Sequence, residues 1–323
     1  AVGGWVGEPV EPLSPHLMLF WKERSTFAVI LDIMKIVISG SSGLIGSALV
    51  PSLEAAGHDV IRLVRRSIED SSTEAAWNPA AGEIDSSVID GADAIVNLNG
   101  RSIADGRWSA AVKEDLRTSR LESTKTLVDA IGRADNPPGV LINASAVGFY
   151  GDRGDELLEE SSPPGTGFLA DLSRDWEETA LAAASERTRV ALLRLGMVVA
   201  REGALERMLT PFKLGLGGPF GSGRQCWPWI GLDDVCGIVD LVLAEAIHGP
   251  VNGGAPQELR CKEFSRTLGR ALSRPAFMPA PAFAVRLALG EMADALLRAS
   301  QRVRPKVLEY AGDELRAPTL DGA

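Results

Sequence analysis

Lys35-Ile-Val-Ile-Ser-Gly40-Ser-Ser-Gly43-Leu-Ile-Gly46-Ser-Ala-Leu-Val50 decides the fold. Its opening run of Ile and Val has the pattern of a strand buried on both faces of a parallel sheet. Three glycines then recur at three-residue spacing, and an apolar helical pattern follows. Strand, glycine turn, helix is the context that a dinucleotide-binding fingerprint requires. In that context Gly40 makes the tight turn, Gly43 lets the backbone approach a pyrophosphate, and Gly46 lets the helix pack closely on the strand. The N–H groups of the first helical turn have no intrahelical partner, so an anion is stabilised there. Ser41, Ser42, Leu44 and Ile45 complete the expected cofactor-facing turn.

Outward from this stretch the chain alternates strands and helices. Leu44 to Ala56 reads as a helix ended by Gly57, and Asp59 to Val64 as a second strand. Arg65 and Arg66 close that strand, about 20 residues beyond the fingerprint, where an NAD site presents Asp or Glu to the ribose 2′-hydroxyl. Guanidinium grips a 2′-phosphate that a carboxylate would repel, so NADP(H) is expected in preference to NAD(H). Ser67 to Asp90 is polar and punctuated by Gly and Pro, and is expected to form mainly loops. Ala94 to Leu98 reads as a strand, placing Leu98, Asn99 and Gly100 beside the cofactor crevice. Trp108 to Ile131 is a long helical stretch; Val140 to Ala144 is a strand running into Ser145-Ala-Val-Gly-Phe-Tyr150. A helix over Leu169 to Ala184 and a strand over Thr188 to Val199 follow. Arg194 interrupts that apolar strand, and must meet either a carboxylate or a ligand anion.

From Arg201 the regularity fades. A glycine-dense loop, Pro211 to Gln225, precedes Asp233-Asp234, expected to cap a helix over Val235 to Ala246. The expected fold is α/β, a Rossmann-type doubly wound parallel sheet with a smaller C-terminal α+β substrate lobe. Residues 1–33 are read as an N-terminal extension, 34–200 as the NADP-binding core, and 201–323 as the substrate lobe, interleaved with the core.

Composition sets further bounds. The 323 residues are 45% hydrophobic and 24% charged, an ordinary globular balance. The net charge of −10 argues against nucleic acid as a main partner. Cys226, Cys236 and Cys261 form no CxxC pair and suit a reducing, cytoplasmic compartment. His16, His58 and His248 are scattered, with no metal-ligand cluster. No apolar run approaches the roughly 18 residues that span a bilayer, so no membrane partner is expected.

Further motifs carry a family resemblance. Besides Gly40-Ser-Ser-Gly43-Leu-Ile-Gly46, they are Ile103-Ala-Asp-Gly-Arg-Trp108, Ser119-Arg120, Ser145-Ala-Val-Gly-Phe-Tyr-Gly-Asp152, Trp176-Glu177, Arg194-Leu-Gly196 and Leu214-Gly-Leu-Gly-Gly-Pro219. Pro228-Trp229-Ile230, Arg274-Pro275 and Ser300-Gln-Arg-Val303 extend the series toward residue 316. The chain resembles the extended, atypical short-chain dehydrogenase/reductases, specifically the bacterial sugar-nucleotide epimerase-like family with a C-terminal extension, sometimes labelled cell-division-inhibitor-like. The resemblance implies a bound NADP(H), with Arg120 among the cofactor residues. It departs at Asn97-Leu98-Asn99-Gly100-Arg101, where the family usually shows Asn-Leu-Ala-Gly-Glu, and at Trp229-Ile230-Gly231, where it shows Trp-Ile-His.

Superfamily enzymes use Ser with Tyr-x-x-x-Lys, one helical turn placing Tyr and Lys on one face. The cation lowers the phenol pKa so that it can exchange a proton during hydride transfer. Ser145 matches the Ser position, but counting back from Trp176-Glu177 puts Leu169 and Ser173 where Tyr and Lys belong, and a shift of one residue puts Ala170 and Arg174 there. The only tyrosines are Tyr150 and Tyr310, with Gly154 and Glu314 four residues on, so the dyad is absent. Two functions follow. The first is an NADP(H)-dependent oxidoreductase or epimerase using Ser145 and Tyr150 on a nucleotide sugar or small carbonyl substrate. Arg194, Lys213, Arg224 and Gln225 would then hold the substrate. The second is a non-catalytic NADP(H)-binding sensor or partner-binding protein.

Overall fold

A computed structural model describes residues 33–312 and 315–322. The expected N-terminal extension lies outside the described residues apart from Ile33.

The fingerprint strand β1 (Lys35–Ser39) is buried from Ile36 onward and sits at the middle of the sheet. Helix α1 (Leu44–Ala55) returns along the sheet to β2 (Asp59–Val64). The sheet then extends outward through β3 (Glu74–Asn78) and the antiparallel edge strand β4 (Glu83–Ile84). Two strands and a single helical turn at Ser86–Ile89 therefore replace much of the loop expected over Ser67 to Asp90. These pieces are short and polar, and their state is set by pairing to β2 rather than by their own periodicity.

On the other side of β1 lie β5 (Ala94–Asn97), β6 (Val140–Ala146), β7 (Arg189–Leu195) and β10 (Gly249–Gly253), giving the order β10-β7-β6-β5-β1-β2-β3-β4. Every neighbouring pair but β3·β4 is parallel. Strand order reverses between β1 and β5, so a crevice opens at their carboxyl ends, the switch point where ligands bind in such sheets.

Alternate side chains of each strand feed two cores. Ile36, Ile38, Val96 and Ile142 pack with Leu49 and Leu53 of α1 and with Ile238 and Val242 of α5 (Leu232–Ala244). Val37, Ile95, Leu141 and Leu192 pack with Leu127 and Ile131 of α2 (Ala110–Ile131) and Ala180 of α3 (Phe168–Leu181). Helix α2 starts at Ser109, whose Oγ accepts from Val112 N at 3.2 Å.

The strand expected over Thr188 to Val199 breaks at Gly196. A Cβ there would stand 2.8 Å from the Pro228 carbonyl oxygen. Beyond the break β8 (Met197–Val199) leaves the main sheet and pairs with β9 (Trp229–Gly231). This small ladder, α4 (Ala204–Lys213) and α6 (Cys261–Ala271) enclose a third core around Phe212, Trp227, Trp229 and Phe264.

Asp233-Asp234 does not cap α5 by side chain. Gly231 is the N-cap, and the buried Asp234 carboxylate instead accepts from the backbone N–H groups of Arg316 and Ala317. A long-range tie to the C-terminal segment has displaced the local cap. Among the described residues no helix is long and apolar enough to cross a membrane.

Candidate functional site

The glycine turn is shaped by backbone crowding. Gly40 has φ +74°, and a Cβ there would lie 2.7 Å from the Leu98 carbonyl carbon at the end of β5. At Gly46 a Cβ would lie 2.3 Å from the Gly40 carbonyl oxygen. Gly46 thus lets the helix close on the turn itself rather than on the strand. Gly43 caps α1 without a side-chain bond, leaving the helix start open to an anion.

A cleft of about 490 Å³ opens over this turn, lined by Gly40, Ser41, Ser42, Arg65, Arg66 and Asn99. A second hollow of about 530 Å³ shares Arg65 and Asn99 and runs along Gly100, Arg101 and Ser119. The chain's cations at β2 are not equivalent. Arg66 holds Glu74 through two bonds of 3.0 and 2.7 Å, and Arg62 reaches the same carboxylate at 3.1 Å. These bonds, the Arg66 one foremost, hold the Glu74 carboxyl below its ordinary pKa. Arg65 is exposed and has no ion-pair partner among the described residues. The donors, the open helix start and the glycine cradle fit a dinucleotide phosphate.

Under the crevice a polar chain locks the strand ends. Asn97 accepts from Ser39 Oγ at 2.6 Å and donates to Asn143 and Thr124 at 2.6 and 2.8 Å. Trp176 Nε1 donates to the same Thr124 hydroxyl at 2.8 Å. Two of the departures from the family pattern tie the β5 end to α2: Asn99 donates to the Ser119 carbonyl at 3.3 Å, and Arg101 pairs with Asp115.

The expected catalytic and substrate residues separate into two groups. Ser145 Oγ donates to Glu177 Oε1 at 2.6 Å, and Arg194 grips both oxygens of Glu177 at 2.8 Å. Arg194 also lies 3.6 Å over the Phe149 ring and donates to Tyr150 Oη at 3.0 Å. Of the two partners open to Arg194, it has taken the carboxylate. Tyr150 is fully buried; its hydroxyl contacts Asn252 Oδ1 at 2.7 Å and the Glu159 carbonyl at 3.1 Å. Burial raises the phenol pKa despite the adjacent Arg194. The expectation of Tyr150 as a proton donor is therefore corrected: its hydroxyl is committed to an internal network with Asn252, Arg194 and the Glu159 carbonyl. Arg194 is corrected likewise, because its charge is already neutralised.

Gln225 is buried and donates to the carbonyls of Phe220 and Leu297, so it braces its own loop. Lys213 and Arg224 are exposed. Leu169 and Ser173 stand on α3 beside the turn after β6: a Cβ at Gly148 would lie 3.3 Å from Leu169 Cβ and 3.9 Å from Ser173 Oγ. Sequence reasoning missed Glu74, hidden in the expected loop, and the role of Glu177, whose signal was its place in the Trp176-Glu177 motif and on the inner face of an amphipathic helix. Among the described residues no group of His, Cys, Asp and Glu could hold a metal ion.

Known proteins match this arrangement. Residues 36–253 match the NAD dependent epimerase/dehydratase family, and residues 280–323 a domain of unknown function (DUF1731). Epimerase family protein Mb2239 of Mycobacterium bovis is 44% identical over 290 residues, 89% of this chain and 95% of the relative. The human epimerase family protein SDR39U1, solved with NADPH, superposes at TM-score 0.82 with 35% identity, covering 90% of this chain and 97% of that one. A nucleoside-diphosphate sugar epimerase from Corynebacterium glutamicum superposes at TM-score 0.75 with 33% identity, covering 94% of this chain and 60% of that longer protein.

Proposed function

The chain belongs to the NAD dependent epimerase/dehydratase family, and from that premise we propose that it is an NADP(H)-dependent oxidoreductase or epimerase acting on a nucleotide sugar or small carbonyl compound. The observation that carries the reading is the cleft at the β1–β2 end, where an open glycine turn meets the exposed Arg65. Gly40 to Gly46 would hold the pyrophosphate, and Arg65 with the Glu74-braced Arg66 would read a 2′-phosphate. Leu98, Asn99 and Gly100 would border the dinucleotide at the β5 end. The human relative's NADPH agrees with that assignment.

The cofactor, when bound, supplies a hydride donor or acceptor. The chain's own groups must orient the substrate and manage its proton. Ser145 is the candidate, because it matches the superfamily's serine and its hydroxyl stands at the carboxyl end of β6 with Glu177 as acceptor at 2.6 Å. Substrate anions would fall to the lobe beyond residue 200, where Lys213 and Arg224 are exposed. Neighbouring solved structures at lower identity carry nucleotide sugars with NAD, as in MoeE5 with UDP-glucose, and show the shared fold. We propose a cytoplasmic location, on three buried cysteines that form no disulfide among the described residues.

A second reading, an NADP(H)-binding protein without turnover, is favoured by one observation: α3 carries neither Tyr nor Lys, and the Tyr150 hydroxyl is bonded to Asn252. The two are separated by following NADPH absorbance across a panel of carbonyls and nucleotide sugars, with about one NADPH oxidised per carbonyl reduced. Sustained oxidation, or conversion of a nucleotide sugar to its epimer without net oxidation, supports the enzyme; tight binding with neither across the panel supports the sensor.

A further inference from the structure

We propose that Arg120 is the cation at the reacting end of the crevice, filling the electrostatic place of the missing lysine, and that it makes the site favour the reduced dinucleotide over the oxidised one. The inference rests on the cofactor reading above.

Arg120 belongs to α2 and its side chain lies along Gly100, where a Cβ would stand 3.1 Å from the guanidinium carbon. The guanidinium covers the Trp176 ring at 5.1 Å. Trp176 is three residues beyond Ser173 on α3, on the face of the helix where the usual lysine would stand. The only hydrogen-bond acceptor Arg120 has among the described residues is the Leu116 carbonyl, at 3.0 Å, and no carboxylate pairs with it. Arg194, by contrast, is fully matched by Glu177. Desolvation with no compensating anion pulls the Arg120 pKa down to about 10, so it is still charged at neutral pH. A half-buried guanidinium without a counter-ion is costly, and such sites are where a ligand completes the pairing.

Sheet order sets which part of the ligand it meets. Arg65 and Arg66 end β2; Gly100 follows β5 and Trp176 lies on the helix after β6. Arg120 is thus across β1 from the 2′-phosphate cations. A dinucleotide lying over the carboxyl ends with its adenosine phosphate at β2 has its nicotinamide half at β5 and β6. The oxidised ring carries a positive charge and the reduced ring none, so a fixed guanidinium opposes the oxidised form.

Equilibrium titration of NADPH and NADP+ by tryptophan quenching tests this on the unsubstituted chain, Arg120→Gln and Arg120→Lys, with near-UV circular dichroism reporting the fold. Gln keeps a donor for the Leu116 carbonyl and loses the charge. The unsubstituted chain should bind NADPH more tightly; Arg120→Gln should cut that preference roughly fivefold or more, the scale of one partly screened charge, and Arg120→Lys should retain most of it. A folded Arg120→Gln with an unchanged ratio overturns the inference. So does equal affinity of the unsubstituted chain for both forms, which needs no variant. Failure of the unsubstituted chain to bind either form overturns the cofactor reading itself, and the two failures are thereby distinct.

Discussion

The Ser145 hydroxyl stands 2.6 Å from Glu177 Oε1, and Glu177 is the same carboxylate that neutralises buried Arg194. One acidic side chain on α3 therefore serves two strands, ending β6 with an acceptor and β7 with a counter-ion. Glu177→Ala would leave Arg194 buried and unpaired, a cost of roughly 3–5 kcal/mol. Urea denaturation should show that loss. Glu177→Gln should lose less, because the amide oxygen still accepts from Arg194.

Arg65 and Arg66 should respond differently to truncation. Arg65 has no ion-pair partner to abandon among the described residues, so Arg65→Ala should weaken NADPH binding about tenfold, or ~1.4 kcal/mol, with little change in melting temperature. Arg66→Ala should also lower the melting temperature, since Glu74 is buried and would lose its bidentate partner. Calorimetric binding and thermal melts of the two variants, side by side, check the contrast.

Gly46→Ala places a methyl group 2.3 Å from the Gly40 carbonyl oxygen and 2.6 Å from Ser41 Cα. Both neighbours are backbone, so neither can swing aside. The turn must open, costing about 1–3 kcal/mol and removing most dinucleotide affinity. Unchanged binding by this variant would contradict the placement of the cofactor at the turn.

Glu160 predicts a pH signature. Its Oε2 is buried without a partner, while Oε1 accepts from the backbone N–H groups of Asn252 and Val307. Burial raises its pKa above the ordinary carboxyl value. Between the unfolded value, about 4.3, and the higher folded one, the native chain keeps a proton that the unfolded chain has released. Stability therefore falls as pH rises through that window and is flat above it. Glu160→Gln cannot ionise, so its melting temperature relative to the unsubstituted chain should climb from pH 4 to pH 7. A constant offset would remove Glu160 as the source.

Much of the crevice was legible because it is local in sequence. Gly40 to Gly46 and the Arg65-Arg66 pair sit at fixed spacing along one β-α-β unit, where periodicity and turn chemistry speak directly. Strands β1, β5 and β6 were legible for the same reason, being unbroken apolar runs. What was not legible depends on partners far along the chain. Glu74 gained its role only when β3 paired with β2, and Asp234 turned from a cap into an anchor for a segment 82 residues away. Tyr150 looked like a proton donor because it follows Ser145; its partner Asn252, 102 residues on, took the hydroxyl instead. The Arg194 side chain had two partners open to it, and the choice rested on where α3 would set Glu177.

The central claim is that the cleft between the glycine turn and Arg65 holds NADP(H). Isothermal titration of the unsubstituted chain with NADPH and with NADH tests it most directly. The account predicts saturable one-to-one binding of NADPH at least about tenfold tighter than NADH, the difference one phosphate gripped by guanidinium supplies. Equal or tighter binding of NADH, or no binding of either, would contradict it.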